Sequence, residues 1–219
     1  MKSCSLLLAL SLVILMPACK SEVDEKPAAQ VSETTATTSA DTAATAAPTG
    51  AATPVIKEKS KIEFTAAKVT RDHHGQFKNF DGSIEYAGGQ PSKVSFDIDL
   101  NSVETDTEKL TGHLKTPDFF DVAKYPKATF VSTSLTAAPA GTPGGATHML
   151  KGTLDLHGVQ KEITIPVVAE KTAEGVRTKS EFTINRQDWG ISYKGAADDL
   201  IKDNVLIKLD LMFPPPPAS

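Results

Sequence analysis

His113-Leu-Lys-Thr-Pro-Asp-Phe-Phe-Asp-Val-Ala-Lys-Tyr-Pro-Lys-Ala-Thr-Phe130 is the one stretch where a chain that otherwise alternates like β-strands loses that rhythm. Thr116 followed by Pro117 and Asp118 reads as a helix start, because a Thr hydroxyl caps free amides and Pro at the first helical position gives up an amide that lacked a partner. Pro126 pushes Tyr125 toward extended geometry. Ala128 to Leu135, with Thr129, Phe130, Val131 and Thr133, then suits a pleated, half-buried surface. The spacing therefore predicts a short helical piece carrying Phe119, Phe120 and Tyr125 between two strands, a plug across one opening of a curved sheet or barrel. The plainer reading is a connection with a few core anchors.

On either side the apolar residues recur with period two, the mark of one dry face and one wet face. Ile62, Phe64 and Ala66 alternate with Lys61, Glu63 and Thr65, and Ile84 and Tyr86 follow a turn read at Asp81-Gly82. Val94, Phe96, Ile98 and Leu100 alternate with Ser95, Asp97 and Asp99. Thr105-Asp-Thr-Glu108 has the form of a capping box, which with Leu110, His113 and Leu114 predicts a first short helix that Gly112 weakens. Further on come Leu150 to Leu156, a turn at His157-Gly158, the run Ile163, Ile165 and Val167, and a turn at Glu174-Gly175. Val176 to Ile184 follows, and Val205, Ile207, Leu209 and Leu211 complete the set. About eight alternating strands without a βαβ rhythm predict an all-β antiparallel sandwich or closed barrel. A barrel of that size holds either packed side chains or one small ligand.

The 219 residues carry 23 Lys plus Arg against 27 Asp plus Glu, formal net charge −4, which argues against a nucleic-acid surface. Residues 1–18 read as an export signal: Lys2 precedes an apolar core, Leu6 to Met16, that is too short to span a bilayer. Ala18-Cys19 at its end resembles a lipobox, although Met16 and Pro17 depart from the usual residues. Lipidation of Cys19 is the expectation, ordinary cleavage the alternative. Cys4 and Cys19 are the only cysteines, so the mature domain holds no disulfide. Residues 19–56, rich in Ala, Thr, Ser and Pro, read as the lipidated cysteine and a disordered tether. Residues 57–213 form the domain and 214–219 a Pro-rich tail. With Lys20 rather than Asp after the cysteine, the expected place is the periplasmic side of the outer membrane, lipid-anchored, with a soluble periplasmic protein as alternative.

Several separated segments together resemble one family. They are Gly75-Gln-Phe77 with Phe80-Asp-Gly82, Asp99-Leu-Asn-Ser102-Val103-Glu-Thr105, His113-Leu-Lys with Asp118 to Val122 and Tyr125-Pro126, Thr129-Phe130, Gly152-Thr-Leu154 with His157-Gly158-Val159, and Asn185-Arg186 with Trp189-Gly190. In this order they resemble the YceI-like, polyisoprenoid-binding proteins of the bacterial periplasm. That resemblance implies a lipocalin-like barrel with one or two short helices at an opening and an apolar tunnel. It also implies a bound isoprenoid-type lipid (a polyprenyl chain or quinone tail) or a fatty amide, and admits a homodimer.

The candidate ligand-binding set is Phe64, Phe77, Phe96, Phe119, Phe120, Phe130, Leu154, Ile165, Phe182, Ile184, Trp189 and Ile207. It forms either a filled core or a tunnel wall, and the small residues Ala66, Gly152 and Ser180 would leave room. Arg186 either clamps a barrel corner with Asp188 or Asp118 or meets a polar head group, and Lys115 is a second head-group candidate. The five histidines lack metal-ligand spacing, since His73 and His74 point to opposite strand faces. No nucleophile elbow, phosphate loop or dinucleotide fingerprint occurs. The expectation is a non-enzymatic binding protein without metal or cofactor. The alternative is a structural or stress-related interaction module with a solid core.

Overall fold

The structure, a computed structural model, describes residues 21–33, 52–196 and 199–216. The leader, Cys19, the middle of the expected tether and the end of the tail lie outside the described residues.

The strands are β1 (Gln30–Glu33), β2 (Thr53–Pro54), β3 (Lys61–Lys68), β4 (Asp72–Phe77), β5 (Phe80–Ala87), β6 (Gln90–Asp99), β7 (Val103–Thr105), β8 (Lys127–Ala137), β9 (His148–Leu156), β10 (Val159–Thr172), β11 (Gly175–Asn185), β12 (Gly195–Ala196) and β13 (Asp199–Phe213). They form one curled antiparallel sheet, a half-barrel, ordered β2-β5-β6-β8-β9-β10-β11-β13-β3-β4-β7, with β1 on β10 and β12 on β13. A single segment draws the curl together. Val55 N–H donates to Gly82 O on β5 (2.9 Å) and Ile56 N–H to Met212 O on β13 (2.8 Å). The all-β expectation holds.

Three local readings are corrected. The one α-helix among the described residues, α1 (Glu108–Leu114), is capped by Thr107, whose hydroxyl accepts from Leu110 N–H at 3.3 Å, rather than by Thr105. No second helix starts at Thr116. Its hydroxyl donates to His113 O (2.8 Å), which closes α1, and Asp121 at φ 45° breaks the run into successive turns. Asp81-Gly82 is not a turn but lies inside β5. The turn read at His157-Gly158 is present, with φ of 55° and 72° at the two positions, the left-handed pair that a two-residue hairpin requires.

The start of the expected tether is built into the wall. Glu22–Glu25 forms a 3-10 turn and Gln30–Glu33 a strand. Averaged over 37 residues the composition cannot support a core, but its few apolar residues stand where the sheet has gaps. Val23 packs on Ala67 and Leu206, which face outward and would otherwise be wet, and all three are buried. Ser21 caps the 3-10 turn, and its hydroxyl bonds the Asp72 carboxylate at 2.9 Å.

Candidate functional site: an apolar cavity inside the half-barrel

The inward side chains enclose a cavity of about 250 Å³. All of the apolar candidates except Ile184 and Trp189 line it, and so do Ala66 and Ser180. Register explains the grouping. Phe182, Ile207 and Phe64 are successive cross-strand partners on β11, β13 and β3, and the next position in the row is Gly75 of β4, ahead of Thr105 on the edge strand β7. On the opposite wall Leu154, Phe130 and Phe96 are partners on β9, β8 and β6, and that row ends on Gly82 of β5.

The glycines Gly75 and Gly82 make room for the rings. A Cβ on Gly75 would stand 2.3 Å from Phe64 Cζ, and one on Gly82 2.1 Å from Phe96 Cε1. Gly152 is covered in the same way by Phe130, at 2.5 Å. Each ring therefore lies along the wall, over a residue without a side chain, instead of projecting inward. Sequence reasoning read Gly82 as a turn and missed this. The available signal was glycine inside an alternating run, which marks close approach of other groups.

Aromatic rings continue from the wall to the α1 end. Phe64 meets Phe77 (5.6 Å between centroids), Phe77 meets Phe120 (5.9 Å), and Phe119 packs on His113 (4.9 Å) and Tyr193 (5.2 Å). Trp189 is fully buried behind this wall and is not at a mouth. Its indole N–H points to Leu154 O (3.4 Å), and its carbonyl meets His157 Nδ1 (3.1 Å). Tyr125 stacks against His157 at 4.6 Å and leaves no room for a side chain on Gly158.

Arg186 touches the cavity, but its fork is occupied. Nη1 donates to Ile191 O (2.6 Å), Nε to Lys202 O (3.2 Å), and Nη2 to Ile201 O (3.5 Å) and to Asp203 (3.2 Å). This is the corner clamp, with Asp203 in place of Asp188 or Asp118. Burial lowers its pKa, and the Asp203 charge opposes that. Lys115, the C-cap of α1, is not among the lining residues. Of the two head-group candidates, then, Lys115 is away from the interior and Arg186 reaches it with its fork already engaged by protein acceptors. The lining keeps little polarity, and its Ser180 hydroxyl is bonded to Pro166 O at 2.5 Å.

Residues 54–213 match the YceI-like domain. The chain belongs to the YceI-like family. Among its YceI-like relatives, the UPF0312 protein of Pseudomonas putida is 32% identical over 143 residues, 62% of this chain and 72% of the relative. Protein YceI of Salmonella arizonae is 38% identical over 94 residues, 42% of this chain and 46% of that one. Among solved structures, Burkholderia cenocepacia BcnA aligns with a TM-score of 0.63 at 24% identity, covering 72% of this chain and 98% of that one. A polyisoprenoid binding domain from Saccharophagus degradans aligns with a TM-score of 0.58 at 21% identity, covering 74% and 98%. Those two likenesses show the shared fold. The YceI-like match begins at Pro54, so the built-in segment 21–33 lies outside the family domain.

Proposed function

We propose that this chain is a non-enzymatic binding protein that sequesters or carries one long apolar molecule, of the polyprenyl, quinone-tail or fatty-amide class, inside the half-barrel. The observation that carries the reading is the pair of cross-strand rows enclosing about 250 Å³ with their rings folded onto glycines. Close packing is the rule for protein interiors, and a hollow walled by apolar carbon is one that water avoids. Each methylene moved into it contributes about 0.8 kcal/mol. The polyisoprenoid binding domain of Saccharophagus degradans, which has this fold, supports the ligand class.

The reading includes anchoring through acylated Cys19 at the periplasmic side of the outer membrane. Ser21, two residues on, bonds Asp72 beside the β3–β4 turn. An acylated Cys19 would thus hold the barrel against the lipid surface, not at the end of a long tether.

Organic extraction and mass spectrometry of the purified protein tests the binding. The expected result is one apolar molecule per chain, lost in Phe96→Asp and Phe182→Asp. A protein that comes out empty and also fails to take up a polyprenyl alcohol would overturn it.

A further inference from the structure

Strands β10 and β11 pair only from Val168–Lys179 to Thr172–Gly175. Continued in the same register, the ladder would bring Pro166 opposite Glu181, Ile165 opposite Phe182 and Thr164 opposite Thr183. It stops instead at Pro166, which has no N–H to give β11, and the Ser180 hydroxyl takes the Pro166 carbonyl. Beyond this fork the wall is split, and the N-terminal segment fills the split. Gln30, Val31, Ser32 and Glu33 pair with Thr164, Ile163, Glu162 and Lys161 of β10. On the other side Ala29 N–H donates to Thr183 O (2.8 Å) and Thr183 N–H to Pro27 O (2.9 Å) of β11.

This seam opens directly on the cavity. Ile163, Ile165 and Phe182 border the split and line the cavity, while Ala29 and Val31 of the inserted strip pack into the same core. On its outer side the strip borders a surface cleft with Pro27, Ala28, Gln30, Thr164 and Pro166. It is held by two inward apolar side chains, a short ladder and ion pairs at partly exposed sites, Lys26–Glu181 and Lys161–Glu33. Such a unit, with few buried contacts, opens at far lower cost than the long strands beside it. When it leaves, the freed backbone groups of β10 and β11 can be met by water.

We propose that the β10–β11 seam is the entry site of the cavity, through which a long apolar chain is laid in sideways, and that residues 27–33 are the removable strip that closes it. This rests on the binding function proposed above. A lateral slot admits a flexible chain along its length, whereas entry from the α1 end would thread it past the Phe119, Phe120 and Phe77 rings.

Gln30→Cys with Thr164→Cys, in the full chain carrying Cys4→Ser and Cys19→Ser, ties the strip to the wall. The two are outward Cα partners, and antiparallel partners lie about 4.5–5.5 Å apart, within disulfide reach. Uptake of cis-parinaric acid, a linear fluorescent polyene, is followed in the oxidised and the reduced protein. The oxidised form should load roughly ten-fold more slowly or worse, as expected of a closed gate, and reduction should restore the rate of the unmodified chain. Val31→Asp, which loosens the strip, should speed both uptake and release. Equal rates in the oxidised and reduced forms, or no acceleration in Val31→Asp, would place the entry elsewhere and overturn the proposal. Failure of every form, the unmodified chain included, to bind the probe would strike at the binding function itself, and the entry site would fall with it.

Discussion

The Phe96 ring fills the space that a side chain on its cross-strand partner Gly82 would need: a Cβ there would lie 2.1 Å from Phe96 Cε1. All of the nearest atoms around that site belong to the ring, so a methyl group there can be relieved only by swinging Phe96 off the wall and into the hollow. Gly82→Ala should destabilise the fold by about 1–3 kcal/mol, the usual cost of overpacking, and reduce the amount of apolar ligand held. Adding Phe96→Leu should recover binding, because a smaller side chain no longer needs the glycine. Denaturant unfolding and extraction of bound ligand measure the two effects. Full binding by Gly82→Ala alone would show that the rings do not define the hollow.

Arg186 joins the end of β11 to the Ile191 and Ile201–Asp203 segments through its full fork. Lysine keeps the charge but cannot reach those acceptors together. Arg186→Lys should therefore cost roughly 2–4 kcal/mol of stability, read from unfolding midpoints. It should leave the chemical class of the bound molecule unchanged. A selective loss of ligands with polar heads, at unchanged stability, would return Arg186 to the head-group role.

On the outer face of β13, Asp210 accepts from Arg177 Nε (2.7 Å) and Nη2 (2.6 Å), and this bidentate bond holds its pKa below the ordinary value. A carboxyl with a depressed folded-state pKa stabilises the fold above its unfolded value of about 3.9 and loses that contribution as pH falls through the folded value. Acid titration of stability in Arg177→Gln should consequently be shallower below about pH 4 than in the unaltered chain. An identical titration would mean that the pair adds nothing measurable.

The Tyr86 hydroxyl is buried with no hydrogen-bond partner among the described residues, and burial raises its pKa. Removing an unsatisfied buried group relieves a desolvation cost of about 1–3 kcal/mol. Tyr86→Phe should thus be neutral to stabilising near neutral pH. Because the raised pKa keeps the folded state neutral, the Tyr86 contribution is present below about pH 10 and lost as pH rises further. The variant should show a weaker loss of stability on the alkaline side. A destabilised Tyr86→Phe would mean that the hydroxyl has a partner after all.

Alternation along Val94 to Leu100 or Ile62 to Ala66 is written residue by residue, so the longer strands, their dry faces and most of the cavity wall were legible in the sequence, whereas the short strands β1, β2, β4, β7 and β12 were not. Helix ends were less so. Thr105 and Thr107 offer the same hydroxyl, and only the path of the chain out of β7 selects Thr107 as the cap. Trp189 and Arg186 were singled out as residue types, but a guanidinium serves a head group or a corner according to which carbonyls converge on it. Those come from residues up to sixteen positions away.

By itself the sequence determined an antiparallel, disulfide-free β-fold with an apolar interior, because period-two patterning acts between neighbours along the chain. The tertiary structure alone decided that the interior is hollow and that the wall has a seam. Both depend on residues far apart in the chain meeting across strands: Phe64 over Gly75, Phe96 over Gly82, and Ala29 beside Thr183 where Pro166 ends the ladder. No local pattern encodes those meetings, since each follows from the register of the whole curled sheet.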